Sequence, residues 1–171
     1  MNRRSFIFHT LLLAVLMVLQ STFFRHLSLG GIAPDIVFVL LIFSSVYQGS
    51  FKAEGTGFIV GILSDLISLA PPGFNAFIFT LSAFIAGLFK GTVFFDPVLM
   101  PVIFVGVGTF FKNMLSFLLK SVFLGNQGMS FFDRTLWLEM GIHIILAPLL
   151  FGLLKAFKII RMNERETGYG G

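Results

Sequence analysis

Glu54-Gly-Thr-Gly-Phe-Ile-Val-Gly-Ile-Leu-Ser-Asp65-Leu-Ile-Ser-Leu-Ala-Pro-Pro-Gly-Phe-Asn75-Ala-Phe-Ile-Phe79 sets a carboxylate inside a run otherwise apolar enough to cross a bilayer. Gly57 and Gly61 share a helical stripe with Asp65, at the four-residue spacing that lets a neighbouring backbone approach closely in lipid. An ionisable group in hydrocarbon is costly, so Asp65 is expected to face protein or a water-lined space. The third span carries only eight strongly apolar residues, each returning ~0.3–0.6 kcal/mol against about 2.5–3.5 kcal/mol for a central Asp. Alone it is marginal, and other helices must surround it.

Composition sets the class. Hydrophobic residues make up 56% and charged residues 12% of the 171, with 24 Phe and a mean hydropathy of +0.95. Soluble domains carry roughly 25% charge, and a chain this apolar would expose large patches to water. The length suits a single integral membrane domain over residues 1–171. The absence of cysteine excludes disulfides, thiolate metal sites and thiol nucleophiles.

Six apolar runs, Ser5–Phe24, Ala33–Tyr47, Ala53–Leu69, Phe74–Lys90, Leu99–Phe123 and Thr135–Phe157, predict an all-α polytopic bundle of six transmembrane helices. Turn residues punctuate them at Gly30-Gly31, Gly49, Pro71-Pro-Gly73, Asp96-Pro97 and Gly125-Asn-Gln-Gly128. No run shows the alternation of a membrane β-barrel. With the N-terminus inside, Arg3, Arg4, Lys52, Lys90, Lys155, Lys158, Arg161 and Arg165 fall on the cytoplasmic side, and Arg25, Lys120 and Arg134 opposite. That bias places both termini in the cytoplasm. The basic residues are helix flanks suited to anionic lipid heads, not a continuous face for nucleic acid. Asn2-Arg-Arg-Ser-Phe-Ile-Phe8 is similar to a twin-arginine export signal, but no small-residue cleavage site follows, so the first helix is expected to stay as an anchor.

In this topology Gln20, Asp35, Asp65, Asn75, Lys112, Glu139 and His143 gather toward the outer half, while the inner half is almost purely apolar apart from His9 and Thr10. Two readings follow. The cluster lines an outward polar cavity that receives a ligand, lipid headgroup or partner helix, or it forms interior pairs, such as Asp65 with Lys112, that fix the helix register. Glu139 and His143 lie four apart on one helical face, expected to pair with each other more readily than to hold a metal, since no third ligand stands at a diagnostic spacing. Ala83, Gly87 and Gly91 repeat the small-residue spacing in the fourth span, so Gly57, Gly61, Gly87 and Gly91 are the expected helix-packing positions. No catalytic constellation and no phosphate-cradling loop is present, so neither an enzyme nor a cofactor is expected.

The ordered set of Gln20 closing the first helix, Pro34-Asp35 opening the second, Gly-x-Gly-Phe-x-x-Gly-x-x-x-Asp65 and Pro-Gly-x-Asn75 resembles the MreD family of rod shape-determining membrane proteins. The specific residues lie between Gln20 and Phe84, and the second half is generic, so Lys112, Glu139 and His143 draw no support from it. The resemblance implies a non-enzymatic scaffold of the bacterial inner membrane. Its expected partners are an MreC-like single-span protein, MreB filaments and the RodA–transpeptidase pair that builds sidewall peptidoglycan. It also implies a fold like the substrate-binding S components of energy-coupling-factor transporters, and hence a rival expectation of vitamin or metal capture. Such components usually show small-x-x-x-small pairs on their first helix, where this chain offers only Thr10-x-x-x-Ala14.

Overall fold

The computed structural model describes residues 3–23, 34–68, 70–91, 99–124 and 134–156, and these form six α-helices with no strand among them. They are α1 (Arg3–Phe23), α2 (Ile36–Gln48), α3 (Ser50–Ile67), α4 (Phe74–Leu88), α5 (Leu99–Leu124) and α6 (Arg134–Ala156). Boundaries fall within about three residues of the apolar runs, and each shift has a local cause. α2 starts at Ile36 rather than Ala33 because Asp35 occupies the N-cap, its carboxylate accepting from the Phe38 N–H. α3 starts directly after Gly49, whose φ of +85° reverses the chain in one residue, so Lys52 lies inside the helix. α4 begins after Gly73, at φ +91°, and ends at Leu88. Gly91 follows at φ +92°, beyond the helix, so it serves the turn and not the packing stripe assigned to it. The ends of the expected spans at Phe24, Ala33, Leu69 and Phe157 lie outside the described residues.

α2 is the axis. Its residues Val37 to Val46 are all buried, and it packs against each of the other five helices. A helix apolar on every face has no solvated side to present and is stable only when wrapped. α3 and α4 form the most intimate pair because glycine removes the side chain where backbones meet. A Cβ on Gly57 would lie 2.6 Å from the Phe79 carbonyl oxygen, and one on Gly61 2.5 Å from the Ala76 Cα. At the other end of α4, a Cβ on Gly87 would lie 2.5 Å from the Ser50 amide nitrogen. α1 joins this body through α3 and α2, while α5 and α6 make a hairpin that packs on α2 and α4. Among the described residues α1 and α6 both rest on α2 without their backbones approaching each other.

The parts differ in height. α2 and α4 have 13 and 15 residues and rise about 20–23 Å, while α5 has 26 and rises about 39 Å. By length and composition two stretches are apolar and long enough to cross a membrane, Val102–Phe123 and Arg134–Leu153. Phe6–Thr22, Ile36–Gln48 and Phe74–Leu88 are apolar but shorter. The exterior is apolar too. Leu11, Val15 and Val18 on α1, Phe58 and Leu66 on α3, Val107 and Val122 on α5, and Ile145 and Leu149 on α6 are all exposed, Ile145 by 75%. A continuous surface of this kind suits lipid and not water.

Candidate functional site

Asp35, the N-cap of α2, is the hub of an interior polar network. Lys112, midway along α5, donates from Nζ to Asp35 Oδ2 at 2.8 Å and to Glu139 Oε1 on α6 at 2.7 Å. The ammonium also lies 5.0 Å from the centroid of the Phe38 ring. Asn113 Nδ2 donates to Glu139 Oε2 at 3.0 Å and to the Thr109 carbonyl at 3.1 Å. From α1, Gln20 Nε2 donates to Asp35 Oδ1 at 3.3 Å while its Oε1 accepts from the Val37 N–H at 2.9 Å. Side chains from α1, α5 and α6 are therefore tied, directly or through Lys112, to one short stretch of chain at the start of α2, with Pro34 buried just before it.

His143 completes the set. The Asp35 backbone N–H donates to His143 Nε2 at 2.9 Å, and Nδ1 lies 2.9 Å from Thr109 Oγ1. A ring whose Nε2 accepts is neutral with its proton on Nδ1, so the imidazole donates to the threonine hydroxyl. The two carboxylates show the opposite pattern. Each of their four oxygens accepts a hydrogen bond from an N–H donor, which defines both as ionised. Side-chain exposures of 15% for Lys112, 18% for Asp35 and 13% for Glu139 place the network just within the protein surface.

Asp65 belongs to a second, separate cluster, so the expected Asp65–Lys112 pair is corrected. Its carboxylate accepts from the Gly73 N–H at 2.9 Å, the Asn75 N–H at 2.7 Å and the Ala76 N–H at 3.1 Å. These are the free amides at the start of α4, whose own N-cap is a glycine without a capping side chain. Asp65 supplies the missing acceptor from the neighbouring helix, where anionic charge also complements the helix dipole. Asn75 Nδ2 adds a bond to Ser68 Oγ at 3.2 Å. The Phe38 and Phe79 rings pack 5.5 Å apart, one turn below Asp35 and Asn75 respectively, so both clusters stand at the same end of the body. Lys112, though halfway along the taller α5, reaches the same level as Asp35 on α2 and Glu139 on α6.

Glu139 and His143 share a face of α6 but use different partners, which corrects the expected mutual pair. Among the described residues no group of three His, Asp or Glu side chains is arranged to hold a metal. Two contributors escaped the sequence reading, Thr109 and Thr56. Thr109 lies three residues before Lys112 on one helical face, a signal that was available. Thr56, at the opposite end, meets Thr10 Oγ1 at 3.1 Å and Gln48 Oε1 at 3.2 Å, giving the lower half a polar knot where apolar packing was expected. Gln48 Nε2 and Ser82 Oγ are buried without a hydrogen-bond partner among the described residues.

An apolar exterior around an interior of paired charges and capped helix ends defines a membrane-embedded helical bundle held in register by polar contacts. The family model for the rod shape-determining protein MreD matches residues 2–157, nearly the whole chain, and the chain belongs to that family. It is thus a membrane protein with a role in rod shape determination. No curated protein and no solved structure matches it.

Proposed function

We propose that this chain is a non-enzymatic scaffold of the cell-elongation machinery. In this reading it spans the inner membrane six times with both termini in the cytoplasm. It holds the transmembrane helix of an MreC-like protein and couples it to MreB filaments and the RodA–transpeptidase pair. Residues 1–171 act as one integral domain. The observation that carries the reading is the family match over residues 2–157 combined with a polar site whose groups are spent on one another. Asp35, Lys112, Glu139, His143 and Gln20 fix helix positions and present no activated nucleophile or free general base. Asp65, Asn75 and Pro34 shape the same end of the body, and Gly57, Gly61 and Gly87 set the closeness of its helices.

The test is co-purification of the chain with the single-span rod-shape protein of the same genome, alongside cell shape in a deletion strain. Recovery of the complex and restoration of rods by the wild-type chain support the scaffold. Round cells despite expression, or normal rods without the chain, refute it. Loss of vitamin uptake with intact rods would instead favour capture of a small molecule.

A further inference from the structure

Two links of different chemistry seat the α5–α6 hairpin on the start of α2. One is the ion pair of Lys112 Nζ with Asp35 Oδ2. Free lysine and aspartate titrate near about 10.4 and 3.9, outside the range from roughly pH 5 to 8. The other is the Asp35 backbone N–H, which donates 2.9 Å to Nε2 of the fully buried His143 ring. A free imidazole titrates near about 6.5, inside that range. The bond needs the Nε2 lone pair. A protonated ring carries an N–H on both nitrogens, so no rotation of it offers the amide an acceptor. Among the described residues the charged groups facing the ring are Asp35 on α2, Lys112 on α5 and Glu139 one turn back on α6, while α1 brings the neutral Gln20. The carboxylates attract a proton to the ring and Lys112 repels it, but the amide bond is lost whatever their sum.

From this we infer that His143 is an acid-sensitive latch: the neutral ring holds α6 to the first turn of α2, and a protonated ring releases it. Release leaves the Asp35 amide without its acceptor, and an unpaired amide away from water is costly enough to unseat the contact. The unfolded chain takes up a proton at His143 near about pH 6.5 that the latched form excludes. Stability conferred by the latch is therefore present above that pH and lost below it, by at most about tenfold in the folding equilibrium per pH unit. The change is confined to the hairpin. α3 and α4 are joined by glycine contacts and by the Asp65 carboxylate on the Gly73, Asn75 and Ala76 amides, and neither link titrates between roughly pH 5 and 8. In the six-span reading this end of the body faces outward, so the latch answers to acidity outside the inner membrane. Protonation of a histidine at an internal contact then becomes a change in how two parts of the bundle sit together.

The experiment follows the unfolding midpoint of the full chain in detergent at steps between pH 7.5 and 5. The sequence holds three histidines, His9, His26 and His143, so each can be changed to Gln in turn. Below about pH 6.5 the wild-type midpoint is expected to fall by up to about 3–6 °C per pH unit, the equivalent of a tenfold change. His143→Gln keeps a side-chain oxygen to accept from the Asp35 amide and cannot take a proton, so its midpoint should stay level over the same range. His9→Gln and His26→Gln should keep the wild-type slope. A second measurement needs no variant: nitrogen-15 spectra of the wild-type histidines with amide exchange corrected for pH. One ring should carry its proton on Nδ1 at pH 7.5, and its protonation should coincide with loss of protection at the Asp35 amide while α3 and α4 stay protected. Equal slopes in wild type and His143→Gln overturn the inference, as does a slope abolished by His9→Gln or His26→Gln. So does protonation of His143 with the Asp35 amide still protected. All of these outcomes leave the scaffold reading untouched, since complex formation with the single-span partner is a separate measurement.

Discussion

Replacing Lys112 with methionine keeps the length and most of the volume of the side chain but leaves Asp35 and Glu139 without the ammonium that separates them. Two short ion pairs, 2.8 and 2.7 Å, are lost together. Removing one partner of a buried pair costs about 3–5 kcal/mol, because the remaining charge is left uncompensated. Exposures of 13–18% allow some relief by water, which puts the expected cost near the lower end, about 3 kcal/mol. For a chain of this size that corresponds to a fall of about 6–12 °C in the unfolding midpoint. The measurement is the temperature at which half the detergent-solubilised protein leaves the monodisperse peak on size exclusion. Adding Glu139→Gln to Lys112→Met removes one orphaned charge and should restore roughly half the loss. An unchanged midpoint for Lys112→Met, or a double variant less stable than the single, would refute the network as drawn.

Other perturbations separate packing from capping. Gly61→Ala places a methyl 2.5 Å from the Ala76 backbone and should destabilise by at least ~1–3 kcal/mol, whereas Gly141→Ala meets nothing within 4 Å and should be neutral or gain ~0.5–1 kcal/mol, both read from the same heating assay. Asp65→Ala strips the acceptor from the Gly73, Asn75 and Ala76 amides and should cost ~1–2 kcal/mol, with faster hydrogen exchange confined to the first turn of α4. Thr56→Val leaves Thr10 and Gln48 Oε1 without this partner and should cost ~1–3 kcal/mol while leaving the Asp35 network unperturbed by spectroscopy of His143. Because the chain has no cysteine, single cysteines at positions 50 and 68 report topology directly: a membrane-impermeant thiol reagent applied to intact spheroplasts should label 68 and spare 50.

The helices were legible because apolar runs and turn residues are local signals. Gly57 and Gly61 were legible as a close-approach stripe for the same reason, since the need for a missing Cβ shows in their spacing. The destination of Asp65 was not. Its partners are backbone amides exposed by the turn at Gly73, and a main-chain donor leaves no mark in the pattern of side chains. The choice of Lys112 between acids at one level was equally hidden, because Asp35 lies 77 residues away and is brought near only by the seating of the α5–α6 hairpin on α2. The lower knot of Thr10, Thr56 and Gln48 went unseen because threonine and glutamine near helix ends read as ordinary boundary residues.

The unequal heights of the helices bear on the bilayer as much as on the protein. In the proposed six-span arrangement the hydrocarbon has about 23 Å of helix to match along α4 and about 39 Å along α5, around a typical thickness of about 30 Å. Lipid must therefore compress on one flank and stretch, or let the helix lean, on the other, at a fraction of a kcal/mol for each ångström. A neighbour whose spans are also short relieves that strain by sharing the thinned zone, so the membrane itself draws such proteins toward the α3–α4 flank before any side chains meet.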